Sequence, residues 1–199
     1  VDAAAESCLV FDIGGGSTEL MWLAKNDGRW DIAAWTSLAA GVVTISERFG
    51  GADVTREAFA EMRQSLQQPL LDFAAEVKAR TGIDRLPDHL LGTSGTVTTI
   101  AGVQLGLRRY DRSRVDGCWL VSDRVGEVTE KLLGLSFAER AAHPCIGKDR
   151  ADLVLAGCAI LEEIRAIFPS PRIRVADRGL REGILTLMMQ DDGVYGSAG

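Results

Sequence analysis

The sequence predicts an α/β fold in which helices flank a mixed sheet that begins as an antiparallel three-strand meander. Two patterns carry that reading. Three apolar, extended runs, Cys8–Ile13, Glu19–Ala24 and Trp30–Leu38, follow one another across short glycine-containing connections, as consecutive hairpins do. Beyond Leu38, segments of helical period alternate with short apolar runs, the pattern of a sheet covered by helices.

Taken in order, Val1–Ser7 is a nondescript lead, and Asn26-Asp27-Gly28 is the turn signal before the third run. Phe59, Met62, Leu66, Leu70, Phe73 and Val77 step by three or four, with Thr55 as N-cap and Gly82 as stop. Pro69 lies inside this helix and is expected to kink or split it. His89–Leu91 reads as a short strand leading into Gly92-Thr93-Ser94-Gly95-Thr96 and a helix to about Gln104. Trp119–Val121 is a further short strand, and Ser136 with Glu139 forms a capping box. Asp149 is expected to cap a helix running to about Phe168 that is apolar nearly all round, hence buried among several neighbours. Ile173–Ala176 is a last strand and Leu180–Met189 a last helix. The resulting division is a lead (1–7), one domain (8–189) and a flexible tail (190–199).

The chain has 199 residues, 46% apolar and 25% charged, which suffices for one buried core without disulfides. Its net charge of -6 and lack of any basic block argue against coating nucleic acid. No run approaches the ~20 apolar residues of a membrane span, so no membrane partner is expected. Cys8, Cys118, Cys145 and Cys158 are widely spaced and have no partner histidines at metal spacing. Cys8 and Cys158 read as small core residues, and free thiols suit a reducing cytoplasm.

The most informative stretch is Asp12-Ile13-Gly14-Gly15-Gly16-Ser17-Thr18-Glu19. Glycine admits positive φ and close approach, and successive backbone amides in such a loop make an anion-binding concavity. Gly14, Gly15, Gly16, Ser17 and Thr18 are therefore candidate phosphate contacts. Asp12 and Glu19 at the edges would repel phosphate unless a divalent cation lies between them, and Mg²⁺ is commonly held by one or two carboxylates plus phosphate and water. A bare Gly-Gly-Gly would read as an ordinary hairpin; the whole octapeptide directly after a strand favours phosphate. No Walker lysine follows, and a strand rather than a helix comes next, which excludes the P-loop and the dinucleotide fingerprint. Gly92, Thr93, Ser94, Gly95 and Thr96 also follow a strand but open a helix, where amides and dipole favour an anion. The two segments read as two walls of one phosphate cleft.

Together these residues resemble the Ppx/GppA family of exopolyphosphatases and guanosine pentaphosphate phosphohydrolases, in the actin/sugar kinase/Hsp70 superfamily. Further segments agree: Gly41-Val42-Val43 through Glu47-Arg48-Phe49, Asp149-Arg150-Ala151-Asp152 with Gly157, and Asp177-Arg178-Gly179-Leu180-Arg181-Glu182-Gly183. The resemblance implies a ribonuclease-H-like domain that is the second of a pair, with the active site in the cleft between them. It implies Mg²⁺ held by Asp12 and Glu19, with Glu19 placing the metal or the attacking water. The substrate would be polyphosphate or guanosine pentaphosphate. The family's first loop, D-x-G-S-N, and its catalytic glutamate in S-G-x-E-E-A are not found, so the general base and the first domain are expected outside this chain, and the chain alone is expected to be nearly inactive.

Two rivals stay open. An ATP-binding kinase or chaperone-like domain shares paired glycine loops, and a non-catalytic domain could bind an alarmone or a protein. A homodimer through an exposed domain-facing surface is also open. Arg178 and Arg181 could reach phosphate or the partner domain, or be a solvated helix end. Arg150 and Asp152 read as a structural pair. His89 and His143 read as structural or solvated, Arg108–Arg114 as a solvated basic loop, and Trp22, Trp30, Trp35 and Trp119 as core or edge packing.

Overall fold

The computed structural model describes residues 1–84 and 86–177. Its six strands form one mixed sheet in the order β3-β2-β1-β4-β6-β5. The elements are β1 (Ser7–Ile13), β2 (Thr18–Asn26), β3 (Arg29–Leu38), α1 (Val42–Phe49), α2 (Arg56–Thr81), β4 (His89–Gly92), α3 (Gly95–Gln104), α4 (Arg112–Val115), β5 (Trp119–Val121), α5 (Ser122–Leu133), α6 (Phe137–Ala142), α7 (Val154–Ile167) and β6 (Arg172–Val175). The first three strands are the expected antiparallel meander, β1 pairs parallel with β4 and β4 with β6, and β5 returns antiparallel at the far edge.

Local chemistry explains much of this. Asp27 and Gly28 both take positive φ, as a two-residue hairpin turn between right-twisted strands demands. Thr55 accepts from the Ala58 amide, Gly82 ends α2 in the left-handed conformation, and Ser136 and Glu139 make the reciprocal box that starts α6.

Alternation along β1 and β2 turns Leu9, Phe11, Ile13, Leu20 and Trp22 to one face, where α2 and α7 pack over them. Phe168 sits at the centre of this layer, its ring 6.3 Å from that of Trp22 and 5.9 Å from that of Phe73. Cys8 and Cys158 are fully buried, as expected of small core residues.

Two expectations are revised: of the kink or split foreseen at Pro69 the split does not occur, and the cap foreseen at Asp149 is not one. Pro69 does not split α2, which runs as one helix. An interior proline costs roughly 3 kcal/mol, whereas each large apolar side chain fully buried contributes about 1.5–3 kcal/mol. Met62 and Leu66 before the proline, and Leu70, Phe73 and Val77 after it, all sit in the core. Packing on both sides outweighs one lost amide. Asp149 is not an N-cap. Gly147, at positive φ, starts a 3₁₀ turn over Lys148–Arg150, and α7 begins only at Val154. That turn is pinned from outside its own sequence: the fully buried Arg140 donates from Nε to the Ala151 carbonyl and from its two Nη atoms to those of Leu135 and Ala52.

The proposed last helix, Leu180–Met189, and the tail lie outside the described residues. Among the described residues no helix is long and apolar enough to cross a membrane.

Phe168→Ala is expected to lower the free energy of unfolding by about 3–5 kcal/mol, because it opens a cavity between two rings that cannot close on each other; urea denaturation of the two proteins checks this.

Candidate active site

The octapeptide folds as a strand end, a tight loop and a strand start. Gly14 donates to the Ser17 carbonyl and closes the loop at 2.9 Å. The carbonyls then turn away from it. Gly14 accepts from the Val42 amide, and Gly15 accepts from the amides of Val43 (2.9 Å) and Thr44 (3.4 Å). The first turn of α1 is thus capped by the loop's own backbone. This requires the chain at Gly41 to approach so closely that a Cβ there would lie 2.4 Å from the Gly15 carbonyl oxygen. None of Gly14, Gly15 and Gly16 has positive φ. Their lack of a side chain serves close approach, not unusual dihedrals. Among the described residues the amides of Gly15, Gly16 and Ser17 meet no backbone acceptor, and Gly15 and Gly16 are exposed.

The second glycine segment divides its labour. Gly92 is a buried strand residue against Phe11 and Val97, and Ser94 caps α3 through Val97. Gly95 and Thr96, the first residues of α3, reach the space in front of the first loop. One pocket of about 170 Å³ is lined by Ile13, Gly14, Gly15, Val42, Gly95 and Thr96, closed by Thr99, Arg150, Leu153 and Val154. Val42, Gly95 and Val154 are the first residues of α1, α3 and α7. Three helices therefore point their amino ends, the positive ends of their dipoles, toward one small space with partly apolar walls.

Arg150 was expected to pair with Asp152, and does not do so here. Its guanidinium lies over Gly95, 3.4 Å from where a Cβ would stand, and donates to the Thr99 hydroxyl. Asp152 instead offers its backbone carbonyl to Ser46. Thr18 also differs from expectation. It is fully buried, and its hydroxyl donates to the Ala40 carbonyl at 2.6 Å, so it braces the approach to α1 rather than facing a ligand. Arg178 and Arg181 lie outside the described residues. His89 is fully buried against Trp119, and His143 accepts the Cys145 amide, so both are structural. In the basic loop, Asp111 caps α4 and Tyr110 and Arg112 hold Asp177. Trp22 is core, while Trp35 stands 65% exposed on the edge strand.

Asp12 and Glu19 are direct cross-strand partners and so share the sheet face opposite the α2–α7 layer. Thr93 flanks Asp12 on one side and Ser37 is opposite Glu19 on the other. Burial pushes the Asp12 carboxyl above the usual carboxylate range; the hydroxyl of Thr93 opposes this and the charge of Glu19 adds to it. Both hydroxyls nearest Glu19, of Ser17 (2.6 Å) and Ser37 (2.9 Å), donate to its Oε1.

Among the described residues no group of three or more His, Cys, Asp or Glu could hold a metal. Two adjacent carboxylates, one reluctant to ionise, fit a cation of the Mg²⁺ kind, which takes one or two protein carboxylates and completes its shell with water and phosphate.

The profile of the Ppx/GppA phosphatase family matches residues 2–192. The chain belongs to the Ppx/GppA phosphatase family. It is 29% identical to exopolyphosphatase 2 of Mycobacterium tuberculosis over 168 residues, covering 81% of this chain and 48% of that protein. It is 25% identical over 186 residues to a guanosine-5'-triphosphate,3'-diphosphate pyrophosphatase of Pseudoalteromonas translucida, covering 93% and 34%. The crystal structure of the Aquifex aeolicus Ppx/GppA family member superposes with a TM-score of 0.78 at 26% identity, over 94% of this chain and 57% of that one. An exopolyphosphatase from Cytophaga hutchinsonii, 22% identical with a TM-score of 0.80, shares the fold. The fold is that of the actin/sugar kinase/Hsp70 group, as the resemblance implied. The chain spans about half the length of the first curated relatives it matches.

A raised carboxyl favours the protonated folded state. The contribution of Asp12 to stability is therefore full below about pH 3.8 and is lost as pH rises through its raised value. Asp12→Asn is expected to be more stable than the parent at neutral pH, with the difference vanishing in acid; urea denaturation at about pH 7 and about pH 3 measures both ends of that range.

Proposed function

We propose that this chain is the phosphate-binding second domain, residues 8–189, of an exopolyphosphatase or guanosine pentaphosphate phosphohydrolase that releases a terminal phosphate by water attack. One observation carries the reading: both glycine segments, three helix amino ends and Arg150 converge on one pocket, and the carboxylate pair flanks the same glycine loop from the other face of the sheet. In an acidic chain this is a local positive site built from backbone and one guanidinium.

In this reading the amides of Gly15, Gly16 and Ser17 and those opening α3 bind phosphate oxygens. Arg150 adds charge-assisted hydrogen bonds, which match the geometry of phosphate. Asp12 and Glu19 hold Mg²⁺, which when bound neutralises charge on the phosphoryl group and orders water. Glu19 keeps its carboxylate fixed at the edge of the loop. The general base comes from a first domain outside this chain, as does the other half of the cleft. Four free thiols suit a reducing compartment, and the cytoplasm is our assignment.

Calorimetric titration with tripolyphosphate, with and without Mg²⁺, tests the site. Mg-dependent binding is expected, abolished in Asp12→Ala and weakened about tenfold or more in Arg150→Ala, since a hydrogen bond to a charged group contributes roughly 1.5–3 kcal/mol. Binding that ignores Mg²⁺ and both substitutions would sink the proposal. Phosphate release by the purified chain is expected to be negligible, because a general base alone contributes about 10²–10⁴-fold; robust turnover in a phosphate-release assay would place the base inside this chain.

A further inference from the structure

Ser37 belongs to none of the segments that carry the family resemblance, and it lies on the edge strand. Its position depends on an irregularity. From Asn26↔Arg29 to Leu23↔Ile32 the pairing of β2 with β3 is regular, and it then shifts by one residue, leaving Ala33 as an extra residue on β3. Beyond this bulge Trp22 faces Ala34, Met21 faces Trp35 and Glu19 faces Ser37. Continued without the bulge, the register would set Thr36 opposite Glu19 and turn every later β3 side chain to the other face. Bulges next to functional sites commonly re-aim a side chain in this way.

The re-aimed hydroxyl reaches Glu19 Oε1 at 2.9 Å, and Ser17, from the glycine loop, reaches the same oxygen at 2.6 Å. Both donors are spent on one oxygen. Glu19 Oε2 has no hydrogen-bond partner among the described residues, and the cross-strand neighbour on that face is Asp12.

We propose that Ser37 is a positioning residue for cation binding: together with Ser17 it clamps Oε1 of Glu19, so that Oε2 is presented beside Asp12. This rests on the reading of Asp12 and Glu19 as the cation-holding pair. Second-sphere hydrogen bonds of this kind set the orientation of a ligating carboxylate, and their loss typically costs 10–100-fold in metal affinity.

Mn²⁺ alone is the probe, its binding to the intact chain read by electron paramagnetic resonance. The proteins are the parent, Glu19→Gln, Ser37→Ala and Ser37→Thr. Ser37 is exposed, so neither substitution opens a cavity in the core. Ser37→Ala is expected to weaken Mn²⁺ about tenfold. Ser37→Thr, which keeps a hydroxyl on a strand-favouring residue, is expected to restore it, and Glu19→Gln to weaken it further than Ser37→Ala does. If Glu19→Gln loses affinity while Ser37→Ala matches the parent, or if Ser37→Thr is as weak as Ser37→Ala, the clamp is overturned and the carboxylate pair stands. If the parent binds no Mn²⁺, or Glu19→Gln binds it as the parent does, the cation-pair reading falls and the role of Ser37 falls with it.

Discussion

The contact on which the rest of the site depends is the one between the first turn of α1 and the glycine loop. A helix start leaves amides without partners, and a tight loop leaves carbonyls without partners. Here each supplies what the other lacks: Gly14 and Gly15 accept from Val42, Val43 and Thr44. With its carbonyls engaged behind, the loop can present amides in front. No side chain takes part in this exchange, so its only demand on composition is room. Gly41 meets that demand where the two backbones touch. The buried hydroxyl of Thr18, bonded to the Ala40 carbonyl, holds the chain entering that contact.

The second level of organisation is the turn that delivers Arg150. Arginine on a 3₁₀ turn between two helices would ordinarily sample many positions. Here the backbone around it is tied from three sides. Arg140 bonds the Ala151 carbonyl, Ser46 bonds that of Asp152, and Gly51 packs so tightly against Asp152 that a Cβ would stand 2.3 Å from its carbonyl oxygen. A buried guanidinium is costly unless its donors are all used; Arg140 spends its donors on three carbonyls, and burial alone pushes its pKa down. That cost is borne by Arg140, and it fixes the turn from which the Arg150 guanidinium lies over Gly95.

How much of this was legible in the sequence follows from where each cause lies. Thr55, Ser136 with Glu139, and Asp27-Gly28 act on amides within a few residues, so reading along the chain finds them. Helix α1 was not found, because its cap is the carbonyl of a loop nearly thirty residues earlier. Asp149 was misread as a cap because nothing local reveals that Arg140 holds the following residues in a tighter turn. The same split runs through the site. The glycine octapeptide announces itself by composition, and the cross-strand partnership of Asp12 and Glu19 follows from a hairpin closing around it. Arg150 and Ser37 do not announce themselves. One was read as half of a structural pair, and the other faces Glu19 only because a bulge at Ala33 shifts the register.

Net charge is a poor guide to what such a surface attracts. Physiological salt screens exposed charges over ~8 Å, so acidic side chains farther than that from the pocket act on it weakly. What remains is decided within one shell: outward amides, three helix ends and one guanidinium on one side of the loop, two carboxylates on the other. Those two sets act in opposite senses on a bare anion, and the carboxylates also burden each other: burial first, and then the charge of Glu19, raises the Asp12 carboxyl. In the proposed function they would cooperate through a cation shared between carboxylate and phosphate oxygens. On the proposed reading, an arrangement that is unfavourable for a bare anion and favourable with a shared cation would make phosphate binding conditional on the metal.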